Sequence, residues 1–395
     1  MRNFYGKEFK VGILGGGQLG RMFIQEAINY DVRVHVIDPA ADAPCSEISH
    51  HFTQGNFNDF DTVLNFGRDK DVLTIEIEHV NVEALKHLQS EGVKVFPQPE
   101  VLEIIKDKGL QKQFYADNNI PTSDFHIVEN LEEAKKFLSS GPYMQKLRTG
   151  GYDGKGVTPF RNENDLEKAF DAPSILEKFV DFEKEIAVMV ARNEDGEIKS
   201  FPSVEMEFNS EANLVEFLFS PANISSELEN KAEKIARDIA EKLQIVGILA
   251  VEMFVTKSGE ILVNEVAPRP HNSGHQTIEG NITSQYEQHL RAICGMPLGD
   301  TATVRPAVMI NILGEKGYSG PAIYQGFEHI LHIPGVYVHL YGKTETKPFR
   351  KMGHVTVVSE NLEEAKQTAK TRKHFLNRCP TKKSSRTIRP KYIFD

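Results

Sequence analysis

Short apolar stretches separated by helical patterns dominate the first hundred residues. Apolar runs at 10–14, 32–37, 72–77 and 93–96 predict strands, and the segments between them have the spacing of amphipathic helices. Strands that alternate with helices are typical of a doubly wound parallel sheet. Two closely spaced prolines then interrupt the pattern, so we place the first, α/β domain at residues 1–98.

The rest of the chain predicts α+β domains. A helical connector at 100–118 precedes a region with a glycine-rich turn and a helix near 163–170. A strand at 185–192 and a long helix at 226–243 come next, and short strands closed by a helix at 363–376 follow. We divide this part into a small domain, a larger domain, a β-rich unit and a basic tail, at 99–180, 181–304, 305–378 and 379–395.

The heptapeptide ENLEEAK occurs twice, at 129–135 and 360–366, and the sequences diverge after it. Asn130 and Asn361 are predicted to cap helices whose first turns carry glutamates, which the helix dipole favours there. Local capping therefore explains both copies without a domain duplication.

The region 247–275 contains a hairpin that brings two carboxylates together. Strands at 250–256 and 260–266 flank Lys257-Ser258-Gly259, which suits a tight turn. A two-residue loop at Ser258-Gly259 would place Glu252 directly opposite Glu265. The same register pairs Phe254 with Val263 and Thr256 with Ile261.

Opposed like charges on a sheet destabilise it, so a positive group is expected between Glu252 and Glu265. Mg²⁺ commonly binds one or two carboxylates together with substrate phosphates. The pair therefore predicts a site for Mg²⁺ and a nucleotide. The alternative is that each glutamate pairs with a lysine or arginine elsewhere in the chain.

Composition narrows the class of protein. The chain has 395 residues and a net charge of −10, which argues against general affinity for nucleic acid. Cys45, Cys294 and Cys379 are too scattered for a disulfide framework or a zinc site. We find no signal peptide and no run of membrane-spanning length, so we expect a cytoplasmic protein that does not contact membranes.

A first glycine-rich turn, Gly15-x-Gly17-x-x-Gly20, lies between a strand and a helix, and Asp38 ends the next strand. This spacing matches a dinucleotide-binding fingerprint. Amides at a helix N-terminus can equally hold another phosphate, and the glycines can serve only to pack the strand on the helix. All three interpretations stay open on these residues.

A second glycine-rich loop, 150–156, follows Lys146 and contains Lys155. Four glycines in seven positions, with two lysines, favour a polyphosphate-binding loop over a surface hairpin. The segment 177–180 and Glu185 could hold a base and a ribose, and a solvated charged linker is the alternative.

The loop after Glu265 contains Arg269, His271 and His275, with prolines at 268 and 270. The planar guanidinium of Arg269 can bind a small oxyanion beside a metal, and its alternative role is a salt bridge to one of the paired glutamates. The prolines and Gly274 argue against a helix, so the histidines do not predict a zinc site.

Two further clusters are candidate substrate contacts. Glu76 and Glu78 are predicted on one face of a strand near its carboxyl end, where doubly wound sheets bind ligands. Lys343, Arg350 and Lys351 flank a polar hairpin and could meet a phosphate. Solvated charge is the alternative for both clusters.

Taken in order, the motifs GGGQLG, GGYDGKG, EKFV, the paired glutamates, NEVAPRPHNSGH and RKMGH resemble the PurK-type 5-(carboxyamino)imidazole ribonucleotide synthase family. The resemblance covers residues 10–358. It implies an ATP-grasp fold, preceded by the doubly wound domain as a pre-ATP-grasp domain and followed by the β-rich unit, with the glycine-rich loop as a lid.

The resemblance also implies the roles of individual residues. Those that would bind ATP are Lys108, Lys146, Gly151, Tyr152, Asp153, Gly154, Lys155, Gly156, Val157, Glu177, Lys178, Phe179, Val180, Glu185, Asn264 and Glu265. Those that would meet the ribonucleotide are Gln18, Glu76, Tyr152, Asp153, Lys155, Arg269, His271, Asn272, Lys343, Arg350 and Lys351. Glu252 and Glu265 would hold Mg²⁺ or Mn²⁺, and the catalytic residues would be Arg269, Lys155 and Asp153.

The implied reaction is the carboxylation of aminoimidazole ribonucleotide with ATP and bicarbonate, through carboxyphosphate, in purine biosynthesis. The expected assembly is a homodimer, and a separate mutase would act on the product. Competing hypotheses are a formate-dependent glycinamide ribonucleotide enzyme, a biotin carboxylase, an NAD-dependent oxidoreductase and a nucleotide sensor without catalysis.

Overall fold

The first domain is a parallel sheet with helices on both faces, as predicted, and it has five strands instead of the four predicted. The computed structural model describes residues 4–151, 156–209, 214–324 and 326–376, and the tail predicted at 379–395 lies outside these ranges. The strand order is β3-β2-β1-β4-β5. The elements are β1 (Lys10–Leu14), α1 (Gln18–Asn29), β2 (Arg33–Asp38), β3 (His51–Gln54), α2 (Phe60–Gly67), β4 (Val72–Ile75), α3 (Val82–Ser90) and β5 (Lys94–Val95).

Alternation along β1 supplies both hydrophobic cores of this sheet. Val11 and Ile13 pack in the cluster that includes α1, and Leu14 packs with residues of α2 and α3 on the other face. Strand β1 pairs with both β2 and β4, so the order of the chain reverses beside it. Ligands of doubly wound sheets bind at the carboxyl end of the strands at such a point.

The predicted connector helix is two helices, α4 (Pro99–Lys106) and α5 (Lys108–Asp117). Asp107 separates them with an extended backbone, and its carboxylate accepts hydrogen bonds from the amides of Gly109 and Leu110. An aspartate that caps a new helix competes with continuation of the old one, which explains the break.

The small domain is a four-stranded antiparallel sheet in the order β6-β9-β7-β8. Its elements are β6 (Phe125–Val128), α6 (Leu131–Lys135), β7 (Tyr143–Leu147), β8 (Val157–Phe160) and β9 (Ser174–Lys178). The helix predicted near 163–170 is a 3-10 segment, Glu163–Lys168. The glycine-rich loop joins β7 to β8.

The remainder of the described chain builds around a nine-stranded sheet with the path β15-β14-β10-β12-β13-β16-β20-β18, to which β11 adds beside β10. Pairing of β13 with β16 carries it without interruption into the predicted β-rich unit. The elements are β10 (Phe182–Arg192), β11 (Ile198–Ser200), β12 (Val204–Asn209), β13 (Leu214–Ser220), α7 (Ser226–Lys242), β14 (Gly247–Thr256), β15 (Ile261–Ala267), α8 (Thr277–Gly280), α9 (Gln285–Ile293), β16 (Ala307–Leu313), β17 (Gly320–Pro321), α10 (Phe327–Leu331), β18 (Val336–Leu340), β19 (Glu345–Thr346), β20 (Lys351–Val358) and α11 (Leu362–Leu376).

The largest hydrophobic cluster lies between this sheet and α7. Ile235, Ile239 and their neighbours on α7 pack against Val188 and Val251 of the central strands. Within the described ranges, no helix combines the length and the apolar character needed to cross a membrane. The opposite face of the sheet is left to line a cleft.

Candidate functional site

Glu252 of β14 pairs directly with Glu265 of β15, as predicted. The rest of the predicted register is wrong, because Phe254 pairs with Leu262 and Val255 with Ile261. The turn spans three residues, 257–259, and is closed by hydrogen bonds between Thr256 and Glu260 and between Gly259 and Thr256. Asn264 then forms a bulge that shifts the pairing by one residue and brings the two acids face to face.

A lysine compensates one of the two acids. The Lys108 ammonium donates to Glu265 Oε2 at 2.5 Å, and this charge holds the pKa of Glu265 below its usual range. Burial and the charge of Glu265 raise the pKa of Glu252, whose Oε1 lies 3.7 Å from Nδ1 of His271. The alternative interpretation, that each acid pairs with a lysine or arginine, is therefore correct for Glu265, whose partner is Lys108.

Lys146 connects this hairpin to the small domain. Its ammonium donates to Oδ1 of Asn264 at 3.0 Å and forms an ion pair with the buried Glu177 of β9. Burial raises the pKa of Glu185 to about 7, with a further contribution from Glu265. Two lysines of the cleft, Lys108 and Lys146, are thus each paired with a glutamate.

The segment after Glu177 is a strand end that is tied to its neighbours. The amide of Lys178 donates to the carbonyl of Asp124, and the amide of Phe179 donates to the carbonyl of Pro142. Phe179 remains 42% exposed beside the cleft. These contacts argue against the solvated linker that was the alternative interpretation.

Both ends of the second glycine-rich loop are described, and Tyr152, Asp153, Gly154 and Lys155 lie outside the described residues. Gly150 and Gly156 have φ angles of 79° and 77°, which side chains rarely adopt. A Cβ on Gly156 would lie 3.1 Å from the Cα of Gly151, so the two ends approach closely. The glycines of the loop ends therefore serve its backbone geometry.

The first glycine-rich turn encloses a carboxylate. Glu76 Oε1 accepts a hydrogen bond from the amide of Leu19 at 3.1 Å, and a Cβ on Gly17 would lie 2.4 Å from the same oxygen. Asp38 is engaged by the amides of Gly16 and Ala40, at 2.7 and 2.8 Å. These contacts commit Asp38 to the turn itself and not to a ribose.

Glu76 and Glu78 do not share a strand face, because β4 ends at Ile75 and the following residues form a bend. Burial raises the pKa of Glu76 to about 7. Glu78 instead forms an ion pair with Arg269, whose Nε lies 2.9 Å from Glu78 Oε1. Arg269 therefore has a glutamate partner, but one from the first domain and not from the hairpin.

The loop after Arg269 presents a polar group with unfilled hydrogen-bonding capacity. Asn272 is 8% exposed, and neither Nδ2 nor Oδ1 has a hydrogen-bond partner among the described residues. Buried polar groups are normally satisfied, so a ligand that supplies partners is expected beside Asn272. His271 is oriented by the Ser273 hydroxyl, 2.8 Å from its Nδ1.

The cationic cluster of the last domain faces the same cleft. Lys343 donates to the carbonyl of Lys351 at 2.8 Å, and Arg350 donates to the carbonyl of Glu345 at 2.6 Å. Backbone contacts of this kind orient the ammonium and guanidinium groups. Lys343, Arg350 and Lys351 all line the cleft.

A single cleft of about 1710 Å³ brings the candidate residues together. All of the predicted site residues that the structure describes line it, with the exception of Gly156. Its volume exceeds the roughly 300–1,000 Å³ of ordinary small-molecule pockets, which suits a site for more than one substrate. Sequence reasoning missed Lys112, which is buried and contacts Glu177. The signal that could have found it is its spacing of four residues from Lys108.

Three family models match consecutive parts of the chain. The ribonucleotide synthetase preATP-grasp domain matches residues 9–106, the ATP-grasp domain matches 113–286, and the phosphoribosylaminoimidazole carboxylase C-terminal domain matches 307–368. Together they cover the parallel sheet, the small domain with the hairpin, and the last part of the nine-stranded sheet.

Two curated relatives illustrate the similarity. The N5-carboxyaminoimidazole ribonucleotide synthase of Bacillus subtilis is 36% identical over 361 residues, which cover 90% of this chain and 92% of the relative. The chloroplastic phosphoribosylaminoimidazole carboxylase of Vigna aconitifolia is 42% identical over 364 residues, which cover 90% of this chain. The matched region spans 65% of the length of that plant relative.

Solved structures agree with these matches. The N5-carboxyaminoimidazole ribonucleotide synthetase from Thermotoga maritima is 45% identical, with a TM-score of 0.87 and coverage of 93% of this chain and 99% of that chain. The Aspergillus clavatus N5-carboxyaminoimidazole synthase, in complex with ADP and 5-aminoimidazole ribonucleotide, is 34% identical, with a TM-score of 0.84 and coverage of 93% and 98%.

Proposed function

The chain belongs to the N5-carboxyaminoimidazole ribonucleotide synthase family, and we propose that it carboxylates the amine of 5-aminoimidazole ribonucleotide with ATP and bicarbonate. The products would be the N5-carboxyamino ribonucleotide, ADP and phosphate. The observation that carries this proposal is the continuous chain of contacts around the opposed glutamates. Lys146 contacts Asn264 on one side, and His271 lies beside Glu252 on the other.

Bicarbonate is a poor electrophile, so the reaction requires phosphorylation of bicarbonate before the amine attacks its carbon. The bond to the transferred phosphate then breaks, and inorganic phosphate leaves. Catalysis of phosphoryl transfer depends mainly on positioning and on neutralising charge. In this proposal Lys108, Lys146 and the amides of the second glycine-rich loop position the ATP phosphates, and Glu177 to Val180 and Glu185 hold the nucleoside.

The donor set of the hairpin fits Mg²⁺ or Mn²⁺. Two carboxylates face each other, and burial and the charge of Glu265 raise the pKa of Glu252. Among the described residues, no group of three or more His, Cys, Asp or Glu side chains is placed to hold a metal ion. A site with two protein carboxylates and substrate phosphates suits Mg²⁺, which neutralises the phosphates when bound.

Other residues of the cleft are assigned to bicarbonate and the ribonucleotide. Arg269 forms an ion pair with Glu78, and its guanidinium would bind the bicarbonate oxyanion. Asn272 offers unfilled hydrogen-bonding capacity, and Lys343 and Arg350 offer charge for the ribonucleotide phosphate. Catalytic roles for Arg269, Lys155 and Asp153, a homodimer, a separate mutase and a cytoplasmic location stay predictions.

In this proposal no dinucleotide binds at the first glycine-rich turn. Glu76 already accepts the amide of Leu19 at the start of α1, where a dinucleotide pyrophosphate would bind. In the proposal this turn meets the ribonucleotide through Gln18 and Glu76, which both line the cleft.

Phosphate release measured with three substrate sets tests the function. ATP and bicarbonate with aminoimidazole ribonucleotide should give rapid turnover, whereas formate with glycinamide ribonucleotide, or bicarbonate with biotin, should give background rates. Fast turnover with either alternative set would refute the proposal. Absence of NAD(P)H binding under the same conditions is also expected.

A further inference from the structure

Lys112 is a buried cation on α5, one helical turn after Lys108. Residues four apart lie on the same helix face, so the two lysines point in the same direction. Lys108 reaches Glu265 at the hairpin, and Lys112 reaches Glu177 Oε1 at 2.5 Å. Helix α5 therefore compensates one acid at each end of the proposed nucleotide site. Lys112 is 2% exposed and does not line the cleft.

Two lysines share the single carboxylate of Glu177. Oε1 contacts Lys112, and Oε2 contacts Lys146, which does line the cleft. Burial alone would raise the pKa of Glu177, but Lys146 and Lys112 overcome burial and lower it to about 2. The two ammonium groups favour the ionised carboxylate. Burial lowers the pKa of Lys112, and Glu177 opposes that shift. With both lysines protonated, the three side chains carry one net positive charge. Lys146 lines the cleft, so this positive charge can act on a ligand there.

The position of Lys112 is held by contacts to the strand of the metal site. Lys112 donates to the hydroxyl of Thr122 at 2.5 Å, and that hydroxyl donates to the carbonyl of Val263 at 2.7 Å. The amide of Val263 donates to the carbonyl of Pro121 at 2.7 Å. Val263 precedes the bulged Asn264, which itself accepts from Lys146. Lys112 thus lies where the small domain, the connector and β15 meet.

We propose that Lys112 is a positioning residue that compensates Glu177 and thereby leaves the charge of Lys146 available to the nucleotide phosphates. The inference rests on the proposed ATP site. Without Lys112, Glu177 and Lys146 form a neutral pair, and Lys146 must give up its buried partner to bind a phosphate. An unpaired buried carboxylate is strongly unfavourable, so Lys146 stays with Glu177. Nucleotide affinity then falls.

The test is a double-mutant cycle on Lys112→Met and Glu177→Gln, with ADP binding measured by calorimetry in the presence of Mg²⁺. In the wild-type background, Lys112→Met should weaken ADP binding by roughly tenfold or more. In the Glu177→Gln background, the same change should alter affinity by less than about twofold, because no carboxylate remains to capture Lys146. Equal losses in both backgrounds would overturn the proposal.

Steady-state kinetics separate positioning from a general loss of structure. Lys112→Met should raise the KM for ATP while the KM for aminoimidazole ribonucleotide stays within about twofold. The control is Lys234→Met, which removes an exposed lysine of α7 that pairs with Asp238 and should change neither constant. A parallel rise in both KM values would also overturn the proposal.

Lys112→Met alone could fail to fold, and the test does not depend on it. The ADP affinities of Glu177→Gln and of the double variant still show the effect of Lys112 when the carboxylate is absent. A loss greater than about fivefold in that comparison refutes charge sharing. Failure of the proposed function gives a different result, since wild-type protein would then show no aminoimidazole ribonucleotide-dependent phosphate release, whatever the variants bind.

Discussion

Replacement of Glu265 by glutamine removes one of the two opposed carboxylates while it preserves the shape of the side chain. Glu265 is the acid that Lys108 contacts at 2.5 Å, and its side chain is 42% exposed to the cleft. Glutamine can still accept a hydrogen bond from Lys108. The change therefore separates the negative charge at this position from the packing of the hairpin.

Two electrostatic effects oppose each other in the metal-free protein. Charges about 5 Å apart repel by roughly 3 kcal/mol at an effective dielectric constant of about 20, so loss of one acid relieves Glu252. The same loss removes the ion pair with Lys108, and partly exposed pairs contribute only about 0–1 kcal/mol net. Since exposure of Glu265 also screens the repulsion, we expect the free energy of unfolding to change by no more than about 1–2 kcal/mol.

Metal-dependent measurements should change far more. A ligand at 100 times its Kd stabilises the folded protein by about 2.7 kcal/mol, so wild-type protein should show a clear rise in Tm with Mg²⁺ and ADP. Glu265→Gln should lose most of that rise, and its ATP turnover should fall by roughly 10²- to 10³-fold.

Glu260→Gln supplies the matched control, because Glu260 is an exposed acid at the turn of the same hairpin. It should behave as wild type in both the thermal and the turnover measurements. A Glu265→Gln variant that kept both the Mg²⁺-dependent Tm rise and the turnover would refute the metal assignment.

Three further changes test the turn and the bulge. Glu76→Gln should stabilise the protein by roughly 1–3 kcal/mol at pH 8 and not at pH 4, in urea titrations. Burial raises the pKa of Glu76 to about 7, so between about pH 4.5 and 7 the unfolded protein loses this proton while the folded protein keeps it, and the free energy of unfolding falls. Gly17→Ala should displace the Glu76 carboxylate, lower stability by about 1–3 kcal/mol and raise the KM for the ribonucleotide, since its Cβ would lie 2.4 Å from Oε1. Asn264→Ala should raise the KM for ATP, because it removes the side-chain oxygen that accepts from Lys146 at 3.0 Å; an unchanged KM for ATP would contradict the role of this contact.

Features governed by local physics could be predicted from the sequence. The strand at 10–14 and the helix after the first glycines follow from hydrophobic periodicity, and both are observed. Both copies of the repeated heptapeptide cap helices as predicted, since Asn130 and Asn361 accept from the amides of Glu133 and Glu364. In each case the residues that determine the structure are close neighbours in the chain.

Contacts between distant segments could not be predicted in the same way. A salt bridge to a paired glutamate was the alternative role of Arg269, but nothing in the sequence distinguishes Glu78, almost two hundred positions earlier, from the acids of the hairpin. The pairing of Lys112 with Glu177 depends on how α5 docks against β9, which tertiary packing decides. The break in the connector at Asp107 shows that a capping side chain can override a continuous helical pattern.

The hairpin shows how a correct pairing can follow from an incorrect register. The turn is one residue longer than predicted, which by itself would leave Glu252 opposite Asn264 instead of Glu265. The bulge at Asn264 shifts the pairing back by one residue at the point where the site begins. A bulge bends a strand and redirects a side chain, and here it turns Asn264 to Lys146 while Glu265 faces Glu252. The irregularity therefore places the carboxylates and the lysine contact of the proposed ATP site in one step, which a regular hairpin of either register would not do.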